Sequence, residues 1–439
     1  MTLRSDAARL LVTLSVLAPS ACGSEEASGS DGATGGSNAT GGATSGGATS
    51  GGATSGGATS GGATSGGATS GGATSGGSAG TSGDGGIGGA GGSGGAGGAG
   101  GDAATTPTLK PPCRGLMTRQ GAPPASATYV DAFVTHALWS ELEPSDQSFT
   151  GPGWASIDTA VKSGKAVRLR IMAGIQAPNF VKKLGGPAVS SPGDGIDCAA
   201  SGGIAVFNPY DKKGGCVPYF WKKVVLDQYE ELMQEVAKRY ESAPGLHEVV
   251  DSACMTVYAE PFYRAHADLG SNQRLFAAGL NQATDLACHE RAIDIHDAAF
   301  PTTRTSLAIN TWDIMDPSAP TGRKTSWPLA KAFADGARAQ LGGRLVLQNN
   351  GLGEAEGCAA GATPDTSYWC YLKSAGGPKG FQTETWERLG GEAGLFAALQ
   401  NGLAMGANFV ELPGGFLAAD PVKLTQADQA LEATSCCVP

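Results

Sequence analysis

The chemistry-bearing residues of this chain fall where short apolar runs stop. "WSELEP" places Trp139, Glu141 and Glu143 after one run, and "VYAEPFYR" places Tyr258, Glu260, Phe262 and Arg264 after another. "INTWD" supplies Asn310, Trp312 and Asp313, "QNNGLGE" supplies Asn349, Asn350 and Glu354, "TETWE" supplies Glu384 and Trp386, and "NFVELP" supplies Glu411. Amides and carboxylates bond hydroxyl groups, and aromatic faces stack on pyranose rings. Gathered on one rim, these residues would line a carbohydrate-binding cleft.

Bringing them together is the task of the intervening elements. Eight runs read as strands: 115–120, 131–139, 166–174, 249–258, 305–312, 344–350, 380–385 and 408–413. Longer segments with apolar residues at helical spacing lie between most of them, at 220–240, 273–299, 327–342 and 391–407, each stopping near Gly or Pro. Strands alternating with helices predict a parallel sheet. Eight of them predict a (β/α)8 barrel, whose active site lies at the C-terminal ends of the strands. A doubly wound open sheet is the alternative, but no GxGxxG follows the first strand.

"WSELEPSDQSFTGPGWASID" followed by "GKAVRLRIMAGIQAPNFV" resembles the corresponding segment of clan A glycoside hydrolases, especially β-galactosidases of the family 42 type. The resemblance covers residues 107–420 in outline and is most specific at strands two to four and seven. It implies a retaining glycosidase whose acid/base glutamate ends strand four and whose nucleophilic glutamate ends strand seven. The matching positions are Glu260 and Glu384. In such enzymes one carboxyl protonates the leaving oxygen while the other attacks the anomeric carbon, with the two about 5–5.5 Å apart. The pattern departs at Ala259, where the clan carries an Asn that contacts the sugar 2-hydroxyl; Asn310 or Asn349 would have to replace it. The substrate-binding set expected around the pair is Trp139, Tyr258, Asn310, Trp312, Asn349, Trp386 and Glu411.

Plainer readings stand beside these. Glu260 could pair with Arg264, Glu384 with Arg388, and Glu141 and Glu143 could serve only to shape a loop. Glu411 could stitch the eighth strand. Arg168 and Arg170 alternate with Val167, Leu169 and Ile171, so the arginines are expected inside the barrel, paired with Glu141 or Glu384. His136 reads as a core histidine. The other histidines show no metal-ligand spacing, so neither a metal nor any other cofactor is expected. A barrel that binds carbohydrate without cleaving it is the second function class, consistent with Ala259. An esterase is disfavoured, because no GxSxG motif accompanies a triad.

Composition sets the wider frame. The chain has 439 residues and a formal net charge of −10, with no basic run, which argues against nucleic acid as a partner. Residues 1–21 read as an export signal, with Arg4 and Arg9 ahead of "LLVTLSVLA". Cys22 follows as a candidate lipid anchor and would be the sole membrane attachment. Residues 22–106 read as a flexible Gly/Ala/Ser/Thr tether containing seven GGATS repeats. Residues 107–439 are then the barrel, expected to be monomeric and to act on an oligo- or polysaccharide. The expected location is the bacterial cell surface or outer membrane, or the medium. Cys198 with Cys216 and Cys358 with Cys370 read as loop disulfides of an oxidising compartment. Cys113 is a candidate partner for Cys436 or Cys437, and Cys254 or Cys288 a candidate free thiol.

Overall fold

Eight parallel strands close on themselves, each paired with the next in the chain and the last with the first. They are Gly115–Thr118, Val130–Leu138, Ala166–Met172, Leu246–Val250, Arg304–Ala308, Leu345–Leu352, Lys379–Thr383 and Phe409–Leu412. The structure is a computed structural model and describes residues 108–264 and 268–433. The expected leader, the tether, Cys22, Cys436 and Cys437 lie outside the described residues. Closure excludes the open doubly wound sheet. Helices follow the second to eighth strands; the first and second strands are joined by residues 119–129, which contain no helix.

Helix Lys223–Tyr240 shows why these segments become helices. Val225, Leu226, Tyr229, Leu232, Met233, Val236 and Tyr240 recur at three- and four-residue steps and are buried, while charged residues fill the other face. The segment expected as one helix over 273–299 is two, Leu269–Ala277 and Gln282–Ala299. Gly279 breaks it with φ 98°, and Asn281 starts the second helix by accepting from Ala283 and Thr284, with Thr284 bonding back.

The fourth strand also differs from expectation. It spans Leu246–Val250, so most of the apolar run 249–258 is not strand. That run is apolar because it is a buried loop. Ala253, Cys254, Met255, Val257 and Ala259 join the core cluster beside the third and fourth strands. A Cys254–Cys288 disulfide ties the loop to helix Gln282–Ala299, so neither cysteine is a free thiol. Arg264 supports it from beneath, donating to Cys254 O at 2.9 Å and ion-pairing with Asp285. Gly174 lets the backbones touch, since a Cβ there would sit 1.8 Å from Thr256 O.

Inside the barrel, Arg168 and Arg170 point inward as expected, but their partners are not Glu141 or Glu384. Arg168 lies 3.2 Å from Glu411 and 3.8 Å from Glu248, and Arg170 reaches both oxygens of Glu411 at 2.9 and 3.1 Å. Glu141 is exposed. Beside this network the Phe409 ring lies against Gly380 on the neighbouring strand. The expected disulfides Cys198–Cys216 and Cys358–Cys370 are both formed, while Cys113 is buried and makes no disulfide among the described residues.

Two outcomes follow. A Cβ at residue 380 would fall 2.0 Å from the Phe409 ring, so Gly380→Ala should cost about 1–3 kcal/mol, read as a lowered Tm, with part regained in Gly380→Ala/Phe409→Leu. Non-reducing peptide mapping should recover Cys254 joined to Cys288, and reduction should lower the Tm, since each loop closed is worth on the order of 3 kcal/mol.

Candidate active site

Two glutamates lie within electrostatic reach of each other at the C-terminal mouth. Glu384 directly follows the seventh strand, and its N–H donates to Leu352 O at 2.8 Å. Glu260 is ten residues past Val250, carried on the anchored loop rather than on the strand end itself. Directly after the fourth strand comes Asp251, which is fully enclosed and whose carboxyl burial pushes up to about 7. Glu260 and Glu384 are each partly exposed and interact electrostatically.

Their surroundings differ. Burial holds the Glu260 carboxyl above the usual carboxylate range, and Glu384 adds to that effect. Hydrogen bonds from Asn350 and Asn310 and the charge of Arg170 oppose it. Asn310 Nδ2 donates to Glu260 Oε2 at 2.7 Å, and Asn349 Nδ2 steadies Asn310 Oδ1 at 2.8 Å. Glu384 is instead ion-paired at 3.0 Å with Arg388, four residues on in the following turn. Of the plainer pairings, Arg388 with Glu384 forms, whereas Arg264 pairs with Asp285 and leaves Glu260 to the asparagines.

The expected lining separates into two groups. Tyr258, Asn310 and Trp386 are partly exposed. Trp139 and Trp312 are instead core residues, 1% and 0% exposed, and cannot stack on a ligand from where they sit. Each followed an apolar run because it continues the core. Trp139 donates to Glu143 at 2.9 Å, and Trp312 to Asp285 at 2.7 Å while stacking on Phe262 at 4.6 Å. Asn349 is buried and acts on Asn310. Glu411 is fully buried between Arg168 and Arg170, which places it beneath the site.

Several residues at the mouth carried no sequence signal strong enough to single them out. Arg119, after the first strand, donates to Thr383 Oγ1 at 3.3 Å and lies within electrostatic reach of Glu411, Arg170, Glu384 and Glu260. His136, read as core, opens to solvent; its dense surroundings and then Arg170 lower its imidazole to about 4. Gln382 accepts from Arg170 at 3.3 Å. A recess of about 460 Å³ lies between the second strand and helix Gly153–Val161, lined by residues that include Phe133, Thr135, His136, Ser156 and Thr159. It holds no carboxylate, so it does not offer the same chemistry. Asp131, Asp428 and Glu432 bring carboxylate oxygens within 4.8 Å of one another at the start of the second strand, on the last helix.

No family model matches the chain, and no curated protein matches it either. Solved structures to which it is similar include the catalytic domain of β-amylase from Paenibacillus polymyxa, 12% identical over 72% of this chain and 97% of that one, with a TM-score of 0.41. An endoglucanase from Pseudomonas stutzeri is 12% identical over 71% and 85%, with a TM-score of 0.37. Endo-glycoceramidase II from Rhodococcus sp., in its ganglioside GM3 complex, is 16% identical over 57% and 70%, with a TM-score of 0.30. Likenesses this remote add nothing to what the closed barrel itself establishes.

Asn310 donates to the ionised form of Glu260 and so favours it. Asn310→Ala should therefore move the Glu260 carboxyl further upward. A carboxyl-carbon NMR titration should report that direction, and a downward movement would contradict this arrangement.

Proposed function

We propose that this chain is a retaining glycoside hydrolase, with Glu260 as the acid/base and Glu384 as the nucleophile. The observation that carries the reading is the contrast between two interacting carboxyls at one barrel mouth. Burial keeps Glu260 above the usual carboxylate range, as a proton donor requires. Glu384 faces it as an ion-paired carboxylate. In the first step Glu384 attacks the anomeric carbon as Glu260 gives its proton to the departing oxygen. In the second, Glu260 takes a proton from water, which displaces Glu384 and restores both groups.

Ala259 removes the usual donor to the sugar 2-hydroxyl, and Asn310 is the amide placed beside Glu260 to serve instead. Ala259 also favours a second reading, a barrel that binds carbohydrate and does not cleave it. The substrate class is an oligo- or polysaccharide in either case. We further infer that the protein is exported and held at the cell surface through lipid on Cys22. Three disulfides suit an oxidising compartment. No helix among the described residues is long and apolar enough to cross a membrane.

Glu384→Gln should lower turnover of chromogenic glycosides by several orders of magnitude with the fold intact. Glu260→Gln should slow poor leaving groups most, by about 10²–10⁴-fold. Because Glu260 must be protonated in the first step, wild-type rates should fall as pH rises through its raised value. Glu260→Ala acting on activated aryl glycosides should lose that limb. Azide should yield a glycosyl azide of inverted configuration with Glu384→Ala and of retained configuration with Glu260→Ala. Undiminished hydrolysis by Glu384→Gln would reject the assignment, and sugar binding with no hydrolysis by the wild type would favour the second reading.

A further inference from the structure

The connection from the third barrel strand to its helix is long, and it folds. Ile204–Asn208 and Lys213–Val217 pair as an antiparallel hairpin that turns near Lys212, where φ is 57°. Cys216 on its second strand is bonded to Cys198. On its first strand, Phe207 N donates to Ser271 Oγ and Ala205 O accepts from Arg274 Nε, both at 2.8 Å, so helix Leu269–Ala277 fixes it.

The hairpin tip is tied to the loop that carries Glu260. Asn208 Nδ2 donates to the Tyr258 hydroxyl at 2.7 Å, and that hydroxyl donates to the Asp211 carboxylate. Lys213 Nζ lies 5.6 Å from the Tyr258 ring centre. Tyr258 lies 6.0 Å from Tyr263, whose N–H donates to Glu260 O at 3.0 Å. Between the two anchoring residues sits Tyr210. Its N–H is held by Asn208 Oδ1 at 3.0 Å, its side chain interacts electrostatically with Tyr263, and it is 63% exposed. A ring held this far out contributes little to the core, yet its backbone is fixed on a stapled, multiply bonded tip.

The geometry points to a leaving-group subsite. Tyr210, backed by Tyr258 and Tyr263, forms an aromatic wall on the Glu260 side of the mouth that stacks on a sugar ring of the leaving group. The substrate's aglycone is then itself carbohydrate. This deepens the glycoside hydrolase reading and rests on it. The general acid protonates the leaving oxygen, so groups flanking it meet the leaving group first. The hairpin rises from the third strand, next to the fourth and not paired with the seventh, which carries Glu384. Arg388, the partner of Glu384, lies within electrostatic reach of Tyr263 and Tyr258, so the wall borders the same mouth. Tyrosine faces suit neutral pyranose rings.

The test measures affinity and turnover separately. Cellotetraose, laminaritetraose and β-1,4-galactotetraose are titrated calorimetrically into the full chain carrying Glu384→Gln, alone or with Tyr210→Ala or Tyr210→Phe. At least one tetrasaccharide should bind, about fivefold more weakly with Tyr210→Ala and with little change for Tyr210→Phe. Wild-type protein is assayed in parallel on 4-nitrophenyl β-glucoside and β-galactoside. If it hydrolyses either, but no tetrasaccharide binds or affinity ignores Tyr210, the subsite is overturned and the hydrolase reading stands. If it hydrolyses neither aryl glycoside nor any tetrasaccharide while affinity still depends on Tyr210, the hydrolase reading fails and the sugar-stacking wall stands.

Discussion

Two arginines inside a closed barrel govern much of this structure. Arg168 and Arg170 share one face of the third strand, and neither can remain buried without partners. Glu248 on the adjacent strand and Glu411 on the eighth supply the countercharge from both sides. Gln348 links the two sides, accepting from Arg168 and donating to Glu411 at 3.1 Å. The pairing fixes register, because a one-residue slip of the third strand would turn both guanidiniums out among the helices. The network also reaches upward. Gln348 donates to Asn350 at 2.6 Å, Asn350 bonds Glu260, and Arg170 contacts His136 and Gln382 at the mouth. Charges that close the barrel thus also organise the floor of the site.

The second determinant is the loop that carries Glu260. A carboxyl placed ten residues beyond a strand end needs its own support, since a free loop would not hold it to within a fraction of an ångström. Here the support comes from several sources at once: the Cys254–Cys288 bond, the Arg264–Asp285 pair below, the missing Cβ at Gly174, and the hairpin tip at Tyr258. Opposite, Glu384 needs less, because it leaves a barrel strand directly and Arg388 follows at helical spacing. The proposed acid and nucleophile therefore owe their positions to different kinds of structure.

Much of the architecture was legible in the sequence because local periodicity reports burial. Runs at 131–139, 166–174 and 380–385 became strands within a residue or two, and alternation of Arg with Val, Leu and Ile on the third strand correctly turned the arginines inward. Glu260 and Glu384 were both named and both reach the mouth. Two kinds of error share an origin. An apolar residue after a strand looks the same in sequence whether it lines a cleft or continues the core, so Trp139 and Trp312 were misplaced and the fourth strand was drawn too long. The helix drawn over 273–299 failed for another reason, because the positive φ of Gly279 and the capping box at Asn281 divide it into two.

By itself, then, the sequence determined the alternation of elements, the inward face of the third strand and two of the three disulfides. These follow from period, from spacing and from residue type, all local properties. Partnership was decided only by tertiary structure. Arg168 and Arg170 found Glu248 and Glu411, Cys254 found Cys288, Asn310 found Glu260, and Tyr210 came within electrostatic reach of Tyr263 from a hairpin more than fifty residues away in the chain. Closure of the barrel brings distant strand ends within a few ångströms of one another, and no local pattern encodes which of them will meet.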